Sequence, residues 1–394
     1  MKKISIILLL SLLAYSDTLP ISSEKKEILQ LKREQIRQDM QSSQRSWISP
    51  LNLSLSINKS EDALHNNSET KNAKVEWSQD LFRSGGIYYT VEQAKASAEA
   101  NLLGVDIEES TYLKQIYTLK AQIQRDQLKM EQEQLTLKNM DIDLFIIKAK
   151  YKVGTSDISE LNQATINRDN ARTNLIITKN ALHNEIYELK KLVDNENIDA
   201  ITLPEIPMIS RDEYLNKNLE LIQYKQKDVV VQAGWKNKRS AYLPKLTFNG
   251  SYGYVDYSGD TTSYNGDAYS YGAVLSMPLD INTKSSIESA RLAYLQTKSS
   301  QSDRKLELEQ EYDKRTSTIG DYKEKISVAQ EMINMYSELY DFTKQQVDAG
   351  FKSQYDLESL GNSLKIQQLE EKIQNYNITI EKISLYFDTK HEGK

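Results

Sequence analysis

The 394-residue sequence predicts a mainly α-helical protein with a smaller β portion that spans a membrane, built from one unit used twice. Three observations predict it: long heptad seams run into glycine turns, short alternating strands interrupt the helices, and both features recur in the same order. Ile319, Tyr322, Ile326, Ala329, Ile333, Tyr336, Tyr340, Thr343 and Val347 alternate steps of three and four, which is a coiled-coil seam. The seam stops before Gly350 in DAGFKSQYDLESL, and Leu357, Leu360 and Leu364 open a new one, so the chain folds back. Leu137, Met140, Leu144, Ile147 and Tyr151 lead likewise into YKVGTSDISEL, with Gly154 at the turn and Leu161 opening the return helix. Gly154 and Gly350, Glu160 and Asp356, and Leu161 and Leu357 all stand 196 positions apart.

The chain starts with basic Met1-Lys2-Lys3, an apolar run from Ile4 to Ala14 and a small-x-small site at Ala14-Tyr15-Ser16. Residues 1–16 are expected to be a signal peptide. Repeat 1 covers 17–194. It begins with a polar helix over 23–45, with Ile28, Leu31 and Ile36 on one side. A strand over 50–58 alternates without a fault from Leu51 to Asn58, a polar loop covers 59–74, and a returning strand covers 75–82. Gly85-Gly86 then opens a helical hairpin over 85–193 with its turn at 152–156. Its first arm, about 65 residues, is about 100 Å long. Leu161, Ala164, Ala171, Leu175 and Leu182 make the seam of the second arm. Pro204 and Pro207 mark 195–210 as a linker.

Repeat 2 covers 211–390 in the same order: a helix over 211–240, strands at about 245–257 and 268–278 around a loop at 258–267, and a helical hairpin over 282–389. The hairpin turns at 348–354, and Leu369, Ile373, Tyr376, Ile380, Ile383 and Phe387 keep register on its second arm.

Composition fits long solvated helices: 14 Gly, 6 Pro and 27% charged residues. With no cysteine there is no disulfide, no thiol chemistry and no lipid-anchor cysteine. A net charge of −6 argues against a nucleic-acid surface. His65, His183 and His391 are far apart without metal-ligand spacing, and no P-loop or dinucleotide fingerprint occurs. The sequence therefore points to no enzyme, cofactor or metal.

An apolar-faced strand can cross lipid only within a closed barrel. Four strands per chain are too few, since the smallest such barrels have about 8, so an oligomer is required. Tyr252, Tyr254, Tyr257, Tyr264, Tyr269 and Tyr271 crowd one hairpin as an aromatic girdle would. Thin seams on the long helices suit the wall of a hollow cylinder. They also suit a solid coiled-coil rod.

The paired strands in SPLNLSLS and YLPKLTFNGSYGY, the strand end MPLD, and the paired turns VGTSDISEL and AGFKSQYDLESL resemble TolC-type outer-membrane efflux proteins, the outer-membrane factors of tripartite efflux or type I secretion systems. The resemblance covers the whole mature chain. It implies a homotrimer in outer-membrane lipid, sharing a twelve-stranded β-barrel joined to a 12-helix periplasmic α-barrel. It implies a passive exit duct for drugs or secreted protein, served by a periplasmic adaptor (membrane fusion) protein and an inner-membrane pump of RND or ABC type.

At the periplasmic tip the resemblance assigns gate positions to Lys352, Asp356, Glu358 and Glu160, and adaptor docking to the turns at Gly154, Thr155, Gly350 and Phe351. Glu160, where an aspartate is common, and Phe351 depart from the family pattern. Spacing alone also allows capping boxes, Asp157 with Glu160 and Ser353 with Asp356. The alternative reading is a secreted coiled-coil scaffold or the periplasmic adaptor itself, although an adaptor has one helical hairpin and this chain has two.

Overall fold

The computed structural model describes residues 20–61, 67–194 and 201–390; the leader, His65 and His391 lie outside them. The described elements run α1 (Ser23–Arg45), β1 (Asn52–Glu61), β2 (Asn67–Phe82), α2 (Gly86–Lys152), α3 (Ile158–Lys190), α4 (Arg211–Lys217), α5 (Leu219–Ser240), β3 (Lys245–Gly259), β4 (Ser263–Ser276), α6 (Thr283–Asp348) and α7 (Gln354–Phe387).

The strands form one antiparallel sheet in the order β1-β2-β3-β4, which leaves β1 and β4 as edges. They are longer than the apolar alternation indicates: residues 67–74, read as loop, belong to β2, and the second hairpin turns over 260–262 alone. Beyond Ile57 the ladder is held by polar pairs. Lys59 stands opposite Glu69 with its Nζ 2.9 Å from the carboxylate, and the Ser60 and Ser68 hydroxyls meet at 2.9 Å. Cross-strand pairs of this kind stabilise a strand with no apolar period to reveal it.

The chain condenses into two compact units, each drawing on both repeats. The first comprises the chain up to Gln30, Asp106–Leu219 and the chain from Leu306 onward. In it four helices stand in a row, α3-α2-α7-α6. Arg168 Nε donates to Asp141 at 3.0 Å, Gln132 Nε2 to Glu370 at 2.8 Å, and Arg315 to Glu381 at 2.7 Å, one bond for each neighbouring pair. The end helices each pack by one seam. On α3 the buried residues are Ala164, Ala171, Thr178, Leu182 and Leu189, and on α6 every residue of the seam from Ile319 to Val347 is buried or half-buried. Each also shows a second apolar set to solvent: Ile166, Ile176, Ile177 and Tyr187 on α3, and Val328, Met335, Leu339 and Phe342 on α6.

The core of this unit lies where α2, α3 and α7 meet, around Ile116, Leu189 and Ile383. Ile201 and Ile206 belong to it, so the described part of the segment read as a linker, 201–210, packs against this core, and the Tyr312 hydroxyl donates to the Ile209 carbonyl at 2.8 Å. The helix expected over 211–240 is interrupted at Asn218, whose ψ of 123° is extended. No Gly or Pro marks this break. It is held from outside: Asn218 bridges to Thr389, Leu219 N–H donates to Asp388 O at 3.0 Å, and Lys390 N–H to Lys217 O at 2.7 Å. The backbone groups freed by the break are thereby satisfied. On α1 the buried side chain is Leu29, with Ile28 and Leu31 exposed, because so few apolar residues do not fix a helix face.

The second unit comprises Leu31–Val105 and Glu220–Lys305, and it holds the sheet. Gln223 Nε2 donates to Ala100 O at 3.0 Å, Arg304 Nε to Glu220 at 2.6 Å, and Trp235 stacks on Tyr294 at 6.0 Å, so α5 lies between the start of α2 and the start of α6. Buried Ala94, Ala96, Ala98 and Ala100 line the start of α2.

Candidate channel face and hairpin tips

Residues alternate sides along a strand, and directly opposed residues share a side. Leu53, Val75, Tyr252 and Tyr269 form one row across the sheet; Leu55, Ala73, Tyr254 and Asp267 form the row on one side of it, and Trp77, Gly250 and Tyr271 the row on the other. With Ile57, Phe248, Ala273 and Leu275 they make one mainly apolar face, bounded toward the hairpin ends by Asp267, Lys71 and Asp256, and Leu53, Leu55, Ile57, Tyr252, Tyr254, Tyr269 and Tyr271 are exposed on it. The opposite face carries Ser54, Ser56, Asn72, Lys74, Glu76, Asn249, Ser251 and Ser270. From Leu246 to Tyr254 the apolar face extends about 27 Å along the strand, which matches the apolar band of a membrane barrel before tilt.

Four of the six girdle tyrosines, Tyr252, Tyr254, Tyr269 and Tyr271, share this face. Tyr257 and Tyr264 do not: they pair on the polar side, rings stacked at 5.0 Å. An odd number of steps separates Tyr257 from Tyr252 and Tyr254, which turns it over. Trp77 and Phe248, unremarked in the sequence, meet edge-on at 6.0 Å on the apolar face. The even step from Val75 to Trp77 is the signal that would have found the first.

At the C-terminal ends of α2 and α6 the two turns share one backbone. Gly154 has φ +78° and Gly350 φ +79°. Thr155 N–H donates to Lys150 O at 2.9 Å and Gly154 N–H to Tyr151 O at 3.1 Å; Phe351 N–H donates to Gln346 O at 2.8 Å and Gly350 N–H to Val347 O at 3.0 Å. This pair of bonds with a left-handed residue is the Schellman ending of a helix. The return helices start differently. Ser353 and Asp356 form a full capping box, with Asp356 N–H donating to Ser353 Oγ at 3.2 Å and Ser353 N–H to Asp356 Oδ2 at 3.0 Å. In the first turn Glu160 N–H donates to Asp157 at 2.8 Å, but the Glu160 carboxylate accepts from the Ser156 hydroxyl, so that box is half made.

Hydrogen bonds from the Ser353 side chain and backbone hold the Asp356 carboxyl below its ordinary range, assisted by the charges of Lys352 and Lys150. Glu160, Lys352 and Glu358 are exposed, as are Phe351 and Val153. Phe145 and Tyr355, which the sequence reading did not single out, join α2 to α7 close to the tip with rings 5.2 Å apart. Arg125 on α2 lies 2.6 Å from Asp126 and 3.5 Å from Glu185 of α3. Burial, and then the charge of Asp126, push the Glu185 carboxyl up to about 7. His183 is exposed on α3, and among the described residues no acidic or histidine group has metal-site geometry.

The outer membrane efflux protein family matches this chain over residues 29–194 and 211–387. A search of curated proteins finds no match. Among solved structures, the chain resembles the outer membrane protein VceC of Vibrio cholerae at 14% identity and TM-score 0.70, covering 93% of this chain and 92% of that one. It resembles the Campylobacter jejuni CmeC outer membrane channel at 16% identity and TM-score 0.71, covering 94% and 84%. CusC matches at 14% identity and TM-score 0.71, covering 93% and 89%. At these identities the likeness is one of fold. Neither a coiled-coil scaffold nor an adaptor is supported by these matches. The family match takes in both repeats, including both strand pairs and both hairpin tips, and the chain belongs to the outer membrane efflux protein family, as an outer-membrane exit duct of an efflux system.

Proposed function

We propose that three copies of this chain assemble into one duct, a twelve-stranded barrel in outer-membrane lipid continued by a twelve-helix barrel in the periplasm. The observation that carries this is the matched incompleteness of two layers: a sheet of four strands open at β1 and β4, and a row of four helices with bare apolar sets on α3 and α6. Two copies would give eight strands, a barrel whose interior side chains fill it; three give twelve and leave a lumen. The polar face of the sheet then lines the water. The leader over 1–16 directs export, and 17–194 and 211–390 act as two copies of one unit joined by 195–210.

The duct is a passive conduit closed at its periplasmic tip. An adaptor docks on the turns at Gly154, Thr155, Gly350 and Phe351, and an inner-membrane pump of RND or ABC type supplies the energy. Asp356, with Lys352, Glu358 and Glu160, rings the entrance, where cations held among three copies of Asp356 outweigh the repulsion between them and keep the resting aperture narrow.

Conductance of the purified protein in a planar bilayer, with its mass in detergent, tests this. A trimer is expected, with conductance raised in Asp356→Ala and unchanged in Ser353→Ala, which removes the cap and keeps the charge. Equal conductance in both variants and the wild type would return Asp356 to helix capping alone. A monomer without conductance would remove the duct.

A further inference from the structure

Where the sheet meets the helices, four chain segments converge. Ser49 N–H donates to Gln79 Oε1 at 2.9 Å, Gln79 Nε2 donates to Trp47 O at 3.0 Å, and the Ser84 hydroxyl donates to Pro244 O at 2.6 Å. The apolar face does not stop at this rim. Leu275 and Met277 are exposed at the end of β4, and beyond Pro278 come Leu279, 92% exposed, and Ile281, 98% exposed, the barest large apolar side chains among the described residues. Ile48, Leu51 and Phe82 are exposed on the neighbouring segments.

The same rim is basic in an acidic chain. Residues 45–51, 80–86, 238–246 and 277–284 carry Arg45, Arg83, Lys238, Arg239, Lys245 and Lys284 against Asp80 and Asp280, while the whole chain has net charge −6. Asp80 is taken up within the structure by Arg83 at 3.6 Å, Lys245 at 3.9 Å and a 2.6 Å hydrogen bond from Thr247. Asp280 accepts from Asn282 N–H at 2.9 Å. Arg45, Lys238, Arg239 and Lys284 are left exposed, and Lys238 lies 5.9 Å over the Tyr242 ring, an amphipathic setting for a charge at a lipid boundary.

We propose that this rim is a binding surface for anionic phospholipid in the leaflet nearest the helices: Leu279 and Ile281 enter the acyl region, and Lys238, Arg239, Lys284 and Arg45 hold the phosphate headgroups. The inference rests on the membrane reading of the sheet. Continuity of the exposed apolar residues with the lipid-facing rows favours lipid, and the local excess of basic over acidic side chains selects anionic headgroups.

The test is native mass spectrometry of the full-length protein in nanodiscs of phosphatidylglycerol and phosphatidylethanolamine. The wild type is expected to retain phosphatidylglycerol preferentially. K238Q/R239Q/K284Q is expected to lose that preference by at least about fivefold, and L279S/I281S to lose total retained lipid, both with oligomer mass unchanged. Equal retention of the two lipids by the wild type, or unchanged retention in both variants, would overturn the proposal. So would loss of the oligomer in L279S/I281S, which would assign these side chains to a second copy. A wild type that fails to enter nanodiscs at all would remove the membrane reading itself.

Discussion

Glu185 occupies a place that no local pattern marks. Its partners Arg125 and Asp126 are some 60 residues away in the sequence, and its carboxyl is raised from 4.5 to about 7 by burial and by Asp126. Between those values the folded chain binds more protons than the unfolded one, so this group's contribution to stability is full below pH 4.5 and is lost as pH rises through 7. Glu185→Gln is expected to raise the melting temperature at pH 8 by about 2–4 °C and to change it little near pH 4.5, as thermal unfolding at the two pH values would show. Asp356 has the opposite sign. Its depressed carboxyl helps stabilise the fold at neutral pH, and that help is lost as pH falls through its folded value. The glycine turns, by contrast, were legible in the sequence because the demand is local. At φ +79° with nothing near a new Cβ, Gly350→Ala strains the backbone alone, by about 1 kcal/mol, which denaturant titration would detect. The break at Asn218 was not legible, since its cause sits at Asp388 to Lys390.

Strand and helix periods were legible wherever one face is apolar. The seam from Ile319 to Val347 could be read directly, as could the alternation from Leu51 to Ile57. The polar extension of β1 and β2 was hidden because Lys59, Glu69, Ser60 and Ser68 pair by charge and hydroxyl. The two faces of the sheet predict opposite tolerances. Leu55→Arg places a charge toward lipid and is expected to cost about 2–4 kcal/mol at mid-bilayer depth, reducing folding into lipid vesicles. Ser54→Arg, one residue earlier and facing the lumen, is expected to fold normally. Equal losses would mean that the sheet does not separate lipid from water.

At the scale of the molecule, the row α3-α2-α7-α6 ends on both sides in uncovered apolar residues, and the test is to charge them. Ile177→Glu on α3 and Phe342→Glu on α6 are expected each to weaken assembly while leaving helix content unchanged, read by mass in detergent and by circular dichroism. Loss of helix content instead would place these residues in the folding core of one chain. Of the proposed assembly only part is legible in the sequence: the strand number asks for more than one chain, whereas the second apolar sets on α3 and α6 emerge only once the first seams are known to be occupied.

The two tips are one backbone written in two chemistries. Their glycines differ in φ by a single degree, yet one turn continues Thr155-Ser156-Asp157 and the other Phe351-Lys352-Ser353. In a ring of three chains the entrance would have sixfold repetition of main chain and only threefold repetition of side chains. If an adaptor docks on these turns as proposed, one that grips backbone would have six equivalent places and one that reads Phe351 or Lys352 three, and the balance between the two grips would set how many partner subunits such a ring seats.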